Sequence, residues 1–336
     1  MIEPSRVLVT AALATLMLAA GACSSADNDG GGATSTDKVT YVTAFGAVGR
    51  DSFVWVAKEK GFFRDAGIDV DIQKGAGNVQ NLTMIKSGQA QFAALDFTGA
   101  VIQAGTGKFT DWRAVAAIHQ QTLVSIMTTN DTGITKPADL AGKTIATAAG
   151  SVSELLFPAY AKLAGLDPAK VRIQGAQTTA LNGLMAQRKV DALSTFLLSR
   201  KALETASKKP VVVLPYSDYL KDLFGNAIIT TPATISAKHD LVDRFVGAAM
   251  KGLRYTVDHP DEAAQILHQA EPTSAVPAAI GEINAMKPYV TPSSRQLGSF
   301  DSKRVQSGIA ELETAGLMPK GLTPEKVVDP SFVHAS

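Results

Sequence analysis

The stretch that decides the fold is DSFVWVAKEKGFFRDAGIDVDIQK, residues 51–74. Asp51 is predicted to cap a helix from Ser52 to Lys60, and Gly61 ends that helix because glycine adopts the left-handed conformation without steric cost. Residues Ile68 to Lys74 then alternate apolar and polar side chains, which predicts a strand with one solvent-facing side. A capped helix followed by such a strand is the repeating unit of an α/β sheet protein.

The same alternation of β-rich and helical runs continues outward from this stretch, beginning with a strand at Val39–Phe45. It predicts an α/β fold, and a chain of 336 residues is long enough for two domains. Polar residues and a proline in Asn130–Pro137 predict one crossover between them, and Tyr216–Asn226 is the second. Two crossovers make the second domain an insertion in the first and permit hinge closure. The predicted divisions are a signal peptide (1–22), a flexible tether (23–37), a first domain (38–131 and 226–336) and a second domain (132–225).

The N-terminal residues predict the compartment. The uncharged run Val7–Ala22 is shorter than the ~20 residues that span a bilayer, and small residues precede Cys23, as in a processing site. This arrangement resembles a bacterial lipoprotein signal, in which the cysteine thiol is lipidated; the alternative is an ordinary secretory signal with an incidental cysteine. Residues 24–38 contain no large apolar side chain, which predicts a flexible tether. We therefore expect an extracytoplasmic protein anchored to the cell membrane by lipidated Cys23.

Composition and charge exclude several functions. Apolar residues make up 46% of the chain and charged residues 19%, which is typical of a folded chain. With 32 Lys and Arg against 31 Asp and Glu, and no basic block, the electrostatic attraction that drives nucleic-acid binding is missing. A single cysteine excludes intramolecular disulfides and cysteine-rich metal sites.

Motifs of catalysis fail when they are tested residue by residue. Leu140–Thr144 ends like a phosphate-binding loop but lacks its first glycine, and Gly75–Gln80 begins like a dinucleotide fingerprint but ends in glutamine. The five histidines form no His-x-x-x-His pair, and there is no Gly-x-Ser-x-Gly elbow. The sequence therefore predicts no catalytic residue, no metal and no cofactor.

Short polar or glycine-rich junctions between a strand and a helix recur in both predicted domains. Such junctions present free backbone N–H groups at the carboxyl ends of strands, where they can hold a polar ligand. The alternative is that their polar side chains only cap helices, and for Ser151, with Glu154 three residues later, a capping box is expected. The aromatic side chains nearby can line a pocket or pack in the core. The candidate ligand-binding residues are Phe45, Arg50, Phe53, Trp55, Asn78, Asp96, Thr98, Ser151, Ser153, Thr195 and Phe196.

Several segments resemble the solute-binding proteins of ABC importers in the sulfonate, nitrate and thiamine-precursor (pyrimidine) group. The run Trp55-Val-Ala-Lys-Glu-Lys-Gly-Phe-Phe63 with Ala66-Gly-Ile-Asp-Val70 is similar to the start of those proteins. Further similar segments follow in the family's order: Met84–Ala93, Pro137–Thr144, Gly183–Ala192, His239–Phe245, Asp258–Ala263 and Val328–Val333.

The resemblance implies a type II periplasmic-binding-protein fold, with two α/β domains that close on a small organic solute and deliver it to a permease and its ATPase. It also implies a monomer without catalytic activity. The solute stays open between a sulfonate and a pyrimidine thiamine precursor, because Arg50 can pair with an anion or lie in solvent. The alternative is a pyrimidine-synthesising enzyme on the same fold. Such relatives use a cysteine motif and pyridoxal phosphate, whereas the one cysteine here is Cys23.

Overall fold

The structure, a computed structural model, describes residues 36–290 and 296–334. The predicted signal peptide, Cys23 and nearly all of the predicted tether lie outside the described residues. No helix in the described part combines the length and apolar character needed to cross a bilayer.

In the described residues, ten strands form two five-stranded sheets. They are β1 (Asp37–Val42), β2 (Ile68–Gln73), β3 (Phe92–Asp96), β4 (Arg113–Ala117), β5 (Val124–Thr129), β6 (Thr144–Ala148), β7 (Arg172–Ala176), β8 (Ala192–Phe196), β9 (Val211–Pro215) and β10 (Asn226–Thr230). The first sheet has the order β2-β1-β3-β10-β4 and the second the order β7-β6-β8-β5-β9. We call the half around the first sheet lobe 1 and the half around the second lobe 2.

The sheets are covered by helices, as the alternating pattern predicts. These are α1 (Phe53–Glu59), α2 (Phe62–Asp65), α3 (Asn78–Lys86), α4 (Phe97–Gly105), α5 (Val152–Leu155), α6 (Phe157–Leu163), α7 (Leu181–Ala186), α8 (Arg200–Ser207), α9 (Pro232–Ala237), α10 (His239–Asp258), α11 (Pro260–Ala270), α12 (Val276–Val290) and α13 (Ser302–Thr314). In lobe 1, α10 packs against α1 and α2. The ring of Phe245 on α10 stacks on that of Phe92 on β3, with ring centroids 3.9 Å apart.

Each sheet contains one antiparallel strand that follows a crossover from the other lobe. Strand β5 pairs antiparallel with β8 and β9, and β10 pairs antiparallel with β3 and β4. The other described pairings are parallel. Consequently both crossovers run from the carboxyl edge of one sheet to the carboxyl edge of the other. Because the crossovers are short, these two edges face each other, and we call the space between them the cleft.

The position of the first crossover differs from the prediction. It was expected at Asn130–Pro137, with a domain boundary between residues 131 and 132. Strand β5, however, pairs with β8 and β9 in the second sheet, so the crossover is the segment 118–123 that precedes it. The polar residues after β5 form a turn within lobe 2 instead. The second crossover, residues 216–225, lies between β9 and β10, inside the predicted segment.

The two crossovers are hydrogen-bonded to each other. The N–H of Thr122 donates to the carbonyl of Leu223 at 2.8 Å, and the N–H of Gly225 donates to the carbonyl of His119 at 3.2 Å. A Cβ at Gly225 would lie 2.8 Å from the carbonyl oxygen of Gln121, so the close approach of the two segments requires glycine. The lobes are thus joined by a paired two-stranded connection.

Gly252 allows the close packing of α10 on α1. We expect Gly252→Ala to lower the free energy of unfolding, because the added Cβ would lie 2.7 Å from the Cβ of Ala57. Overpacking of this kind costs about 1–3 kcal/mol. Urea denaturation followed by circular dichroism measures the change.

Gly247→Ala on the same helix is the matched control, since a Cβ there meets no atom within 4 Å. Alanine favours the helix over glycine, so this variant should be neutral or stabilised by up to about 1 kcal/mol. Equal stability of the two variants would contradict the close contact between α10 and α1.

Candidate functional site

The loop after β1 is folded around the carboxyl group of Asp51. Its Oδ1 accepts a hydrogen bond from the N–H of Ala44 at 3.0 Å. The prediction that Asp51 caps α1 is therefore wrong, because its carboxyl group is bonded to the loop instead. The helix begins at Phe53, one residue later than expected. Burial raises the pKa of Asp51 to about 6, and Arg50 and the backbone N–H groups oppose that rise. The folded loop leaves the ring of Phe45 half exposed to solvent.

Asp96 ends β3 and is held on several sides. Its Oδ1 caps α4 by accepting the N–H of Gly99 at 2.7 Å. The side-chain amide of Asn78 bonds to both backbone groups of Asp96, donating to the carbonyl at 2.8 Å and accepting the N–H at 3.0 Å. The position of the carboxyl group at the carboxyl edge of lobe 1 is thereby fixed.

The second carboxyl oxygen of Asp96 has no such partner. Oδ2 is buried and makes no hydrogen bond to any described residue. Burial raises the pKa of Asp96 to about 6, and the Gly99 N–H opposes the rise. Buried polar atoms are normally satisfied, so an unpaired carboxylate oxygen is a feature that calls for a functional explanation.

Asn226, at the start of β10, lies beside Asp96 and was missed by the sequence analysis. The two residues are direct partners in the antiparallel register of β3 and β10. No hydrogen bond joins the Asn226 side chain to a described residue. In the sequence, Asn226 is a single polar residue directly before the apolar run Ala227–Ile229. That pattern alone does not distinguish a ligand-binding residue from a turn residue.

Lobe 2 presents hydroxyl groups at its own carboxyl edge. The Oγ of Ser151 and that of Ser153 lie 2.8 Å apart, and the Oγ1 of Thr147 lies 3.1 Å from the Oγ of Ser153. Ser151 caps α5 as expected, accepting the N–H of Glu154 at 3.3 Å, but the Glu154 carboxylate accepts the N–H of Gly150 rather than that of Ser151. These three hydroxyl groups face one another, and we call them the hydroxyl cluster.

Two further predicted residues stand at the end of β8. Thr195 is nearly buried and pairs with Ser125 of β5. Phe196 is partly buried and packs against both of the large hydrophobic clusters of the protein. Phe196 also pairs with Val124 at the start of β5, directly after the first crossover.

Arg50 is surrounded by groups that compensate its charge. Its Nε lies 3.5 Å from the Oδ2 of Asp51, and the carboxylate of Glu282 on α12 accepts its backbone N–H at 3.3 Å. Burial, together with the nearby guanidinium, lowers the pKa of His119 to about 3, so that imidazole is neutral. The guanidinium of Arg50 therefore has the Asp51 carboxylate beside it, and it also lies close enough to Glu282 to oppose the rise that burial causes in the pKa of that carboxyl group.

Three predicted residues do not reach the cleft. Phe53 is fully buried, with its ring edge-on to Tyr41, and Thr98 is buried with its hydroxyl donating to the carbonyl of Phe224 at 2.8 Å. Trp55 is almost buried and lines a surface groove of about 400 Å³ beside the edge strand β2, together with Ile72. These aromatic side chains lie on the inner face of α1, where core packing determines their direction.

No group of three or more His, Cys, Asp or Glu side chains in the described part of the chain is arranged to hold a metal ion.

The architecture defines a class: a two-lobed α/β protein in which both lobes direct polar strand ends into one cleft. The chain belongs to the NMT1/THI5-like family, whose characteristic sequence matches residues 52–263.

The chain is 26% identical over 223 residues to the formylaminopyrimidine-binding protein of Halalkalibacterium halodurans, covering 64% of this chain and 65% of that protein. It is 24% identical over 237 residues to the riboflavin-binding protein RibY of Chloroflexus aurantiacus, covering 69% and 65%. The chain thus spans about two thirds of the length of these relatives.

Solved structures share the fold. The aliphatic sulphonate binding protein SsuA from Escherichia coli superposes with a TM-score of 0.71 at 15% identity, covering 89% of this chain and 94% of that one. The alkanesulfonate-binding protein SsuA from Xanthomonas axonopodis pv. citri, bound to MOPS, gives 0.66 at 17% identity, covering 86% and 97%. The desulfurization enzyme DszB gives 0.60 at 16%, covering 88% and 97%. The predicted periplasmic-binding-protein fold is confirmed.

The unpaired carboxylate of Asp96 makes stability depend on pH. Its pKa in the folded state, about 6, lies above the ordinary value of 3.8, so between these pH values the unfolded chain binds fewer protons than the folded one. The stabilisation that comes from the more readily protonated Asp96 of the folded state is fully present below the ordinary pKa of 3.8, and it is lost as the pH rises through about 6. Asp96→Asn keeps the cap to Gly99 and removes the charge. We expect it to raise the free energy of unfolding at pH 7.5 by up to about 3 kcal/mol.

Urea denaturation of wild type and Asp96→Asn at pH 4 and pH 7.5 tests this. The difference between the two proteins should shrink toward pH 4, where Asp96 is protonated in the folded state and only partly ionised in the unfolded state. Asp51 is present in both proteins, so its contribution cancels. A difference independent of pH would show that the carboxyl group is not the cause.

Proposed function

We propose that the chain is the extracytoplasmic solute-binding component of an ABC importer and that it captures a small organic solute between its lobes. The observation that carries this proposal is the unpaired, buried Oδ2 of Asp96 at the edge of lobe 1 that faces lobe 2. The names of the relatives support it, since they bind formylaminopyrimidine or riboflavin, and the sulfonate-binding neighbours have the same fold.

Capture follows from the arrangement of the two edges. Lobe 1 contributes the Phe45 ring and the Asp96 carboxylate, and lobe 2 contributes the hydroxyl cluster. A solute that contacts both edges stabilises the closed arrangement over the open one, and this difference in affinity shifts the population toward closure. The paired crossovers are the hinge, because bending there moves the lobes while leaving each sheet intact.

The same proposal covers the permease and ATPase partners, the monomeric state and the membrane location of the protein. We propose that the protein works as a monomer, delivers its solute to a permease coupled to an ATPase, and is held at the outer face of the cell membrane by lipidated Cys23. The lipoprotein-like residues before Cys23 support the anchor. The extracytoplasmic location is supported by the periplasmic sulphonate-binding neighbours.

Binding is proposed rather than catalysis, although the enzyme DszB has the same fold. The hydroxyl cluster hydrogen-bonds internally and to backbone, and in the described residues no histidine is bonded to it. A serine hydroxyl without an adjacent base is a weak nucleophile. The chain's one cysteine, Cys23, precedes the described residues.

Formylaminopyrimidine, riboflavin and an alkanesulfonate are the probes for the proposed function. Isothermal titration calorimetry of the purified protein identifies which of them binds, and small-angle X-ray scattering measures compaction on binding. We expect one probe to bind and to reduce the radius of gyration. Binding of none, by either method, would contradict the proposed function.

Phe45→Ala tests the place of the solute. Because the ring is 50% exposed, its removal should leave the melting temperature nearly unchanged. Loss of an aromatic contact of roughly 1.4 kcal/mol corresponds to about tenfold weaker binding of the probe. Leu163→Ala on α6 is the matched control, since Leu163 is similarly exposed (57%) but lies on a helix outside the strand edge. Equal affinity of the two variants would place the solute elsewhere.

A further inference from the structure

Asp96 and Asn226 are neighbouring side chains with unused hydrogen-bonding capacity. The Oδ2 of Asp96 is an acceptor without a partner, and the residue is 8% exposed. Asn226 is 9% exposed, and its carboxamide, a donor and an acceptor, forms no hydrogen bond to a described residue. The buried, unpaired carboxylate oxygen of Asp96 is costly unless a ligand satisfies it, and the Asn226 carboxamide beside it has no competing partner among the described residues.

The strand register brings the two side chains together on one face. The N–H of Phe97 donates to the carbonyl of Gly225 at 2.9 Å, so the next pair, Asp96 and Asn226, is a non-hydrogen-bonded pair. The backbone groups of Asp96 are indeed bonded to Asn78 instead. Partners of this kind have side chains on the same side of the sheet, with Cβ atoms about 4.5–5.5 Å apart.

The backbone of Asn226 is fixed as firmly as that of Asp96. Its N–H donates to the Nδ1 of His119 at 3.2 Å, and its carbonyl accepts the N–H groups of Ile118 and His119 at 2.8 and 3.0 Å. The backbones of both residues are therefore held before a solute arrives, which lowers the ordering cost of binding.

The charges around this pair disfavour an anionic solute. Arg50 is compensated by Asp51 and Glu282, and His119 is neutral. A carboxylate in such a poorly solvated place attracts an N–H or O–H donor and repels a sulfonate.

We propose that Asp96 and Asn226 together read one edge of a planar nitrogen compound, an edge that carries an N–H donor next to a nitrogen or oxygen acceptor. This inference rests on the proposed function and specifies the solute class of the same site. The donor of the solute binds Asp96 Oδ2, and the adjacent acceptor takes an N–H from the Asn226 carboxamide. Amides, amidines, aminopyrimidines and the imide edge of a flavin have this pattern, whereas alkanesulfonates do not. The half-exposed ring of Phe45 supplies an apolar surface for a flat ring.

Matched pairs of probes, with and without the N–H donor, test whether Asp96 and Asn226 recognise that donor. 4-Amino-2-methylpyrimidine is compared with its dimethylamino analogue, and riboflavin with N3-methylriboflavin, by titration calorimetry on the full chain at pH 7.5; ethanesulfonate is the anionic probe. Within at least one pair, methylation of the donor should weaken binding tenfold or more, and ethanesulfonate should bind more weakly than the better donor. Equal binding within both pairs, or preference for ethanesulfonate, overturns the proposal.

Variants then assign the contacts. Asn226→Ala and Asp96→Asn should each weaken binding of the preferred probe at least tenfold. Each should also reduce the loss of affinity that methylation of the donor causes, whereas Leu163→Ala should change neither quantity. Urea denaturation shows that each variant is folded. If Asn226→Ala binds like wild type, the proposed pair is wrong.

The outcomes separate this proposal from the proposed function. Binding of ethanesulfonate with compaction would leave the solute-binding role intact and overturn the reading of a donor edge. Failure of every probe, both here and in the panel above, would overturn both.

Discussion

The carboxyl group of Asp96 is the constraint on which the candidate site depends. It is buried at the end of β3, one oxygen caps α4, and the other has no partner. Burying a carboxylate in this way costs free energy, which the raised pKa of Asp96 expresses. The surrounding structure keeps the group in place through Asn78 and the register with Asn226. A costly group held so firmly is what a site prepared for a ligand requires.

The topology explains why this group faces a second lobe. Each sheet receives one antiparallel strand from a crossover, β10 in lobe 1 and β5 in lobe 2. The crossovers therefore connect carboxyl edge to carboxyl edge, and they bond to each other through Thr122 and Leu223. Asn226 stands where the second crossover enters its sheet, so the proposed hinge and the candidate site share a residue. In the function that we propose, this shared position couples closure to recognition of the solute.

The local sequence predicted the helices and strands better than it predicted which strands pair with each other. The alternation from Ile68 to Gln73 correctly gave β2, and the helical and strand runs gave the α/β class. The first crossover was misplaced because the sheet that a strand such as β5 joins depends on distant residues, which leave no mark in its own sequence. For the site, the strand–helix junctions led to Phe45, Asn78 and Asp96, but the same reasoning included Phe53 and Trp55, whose direction depends on the packing of α1. Asn226 was not among the predicted residues, since the role that we propose for it arises from its register with Asp96.

A crystal structure of the protein with the solute that it retains through purification tests the account most directly. The account predicts an N–H or O–H of the solute within roughly 2.7–3.2 Å of Asp96 Oδ2, with the other side of the solute against the hydroxyl cluster of lobe 2. A solute bound instead in the groove beside Trp55, with Asp96 Oδ2 still uncontacted, would contradict it.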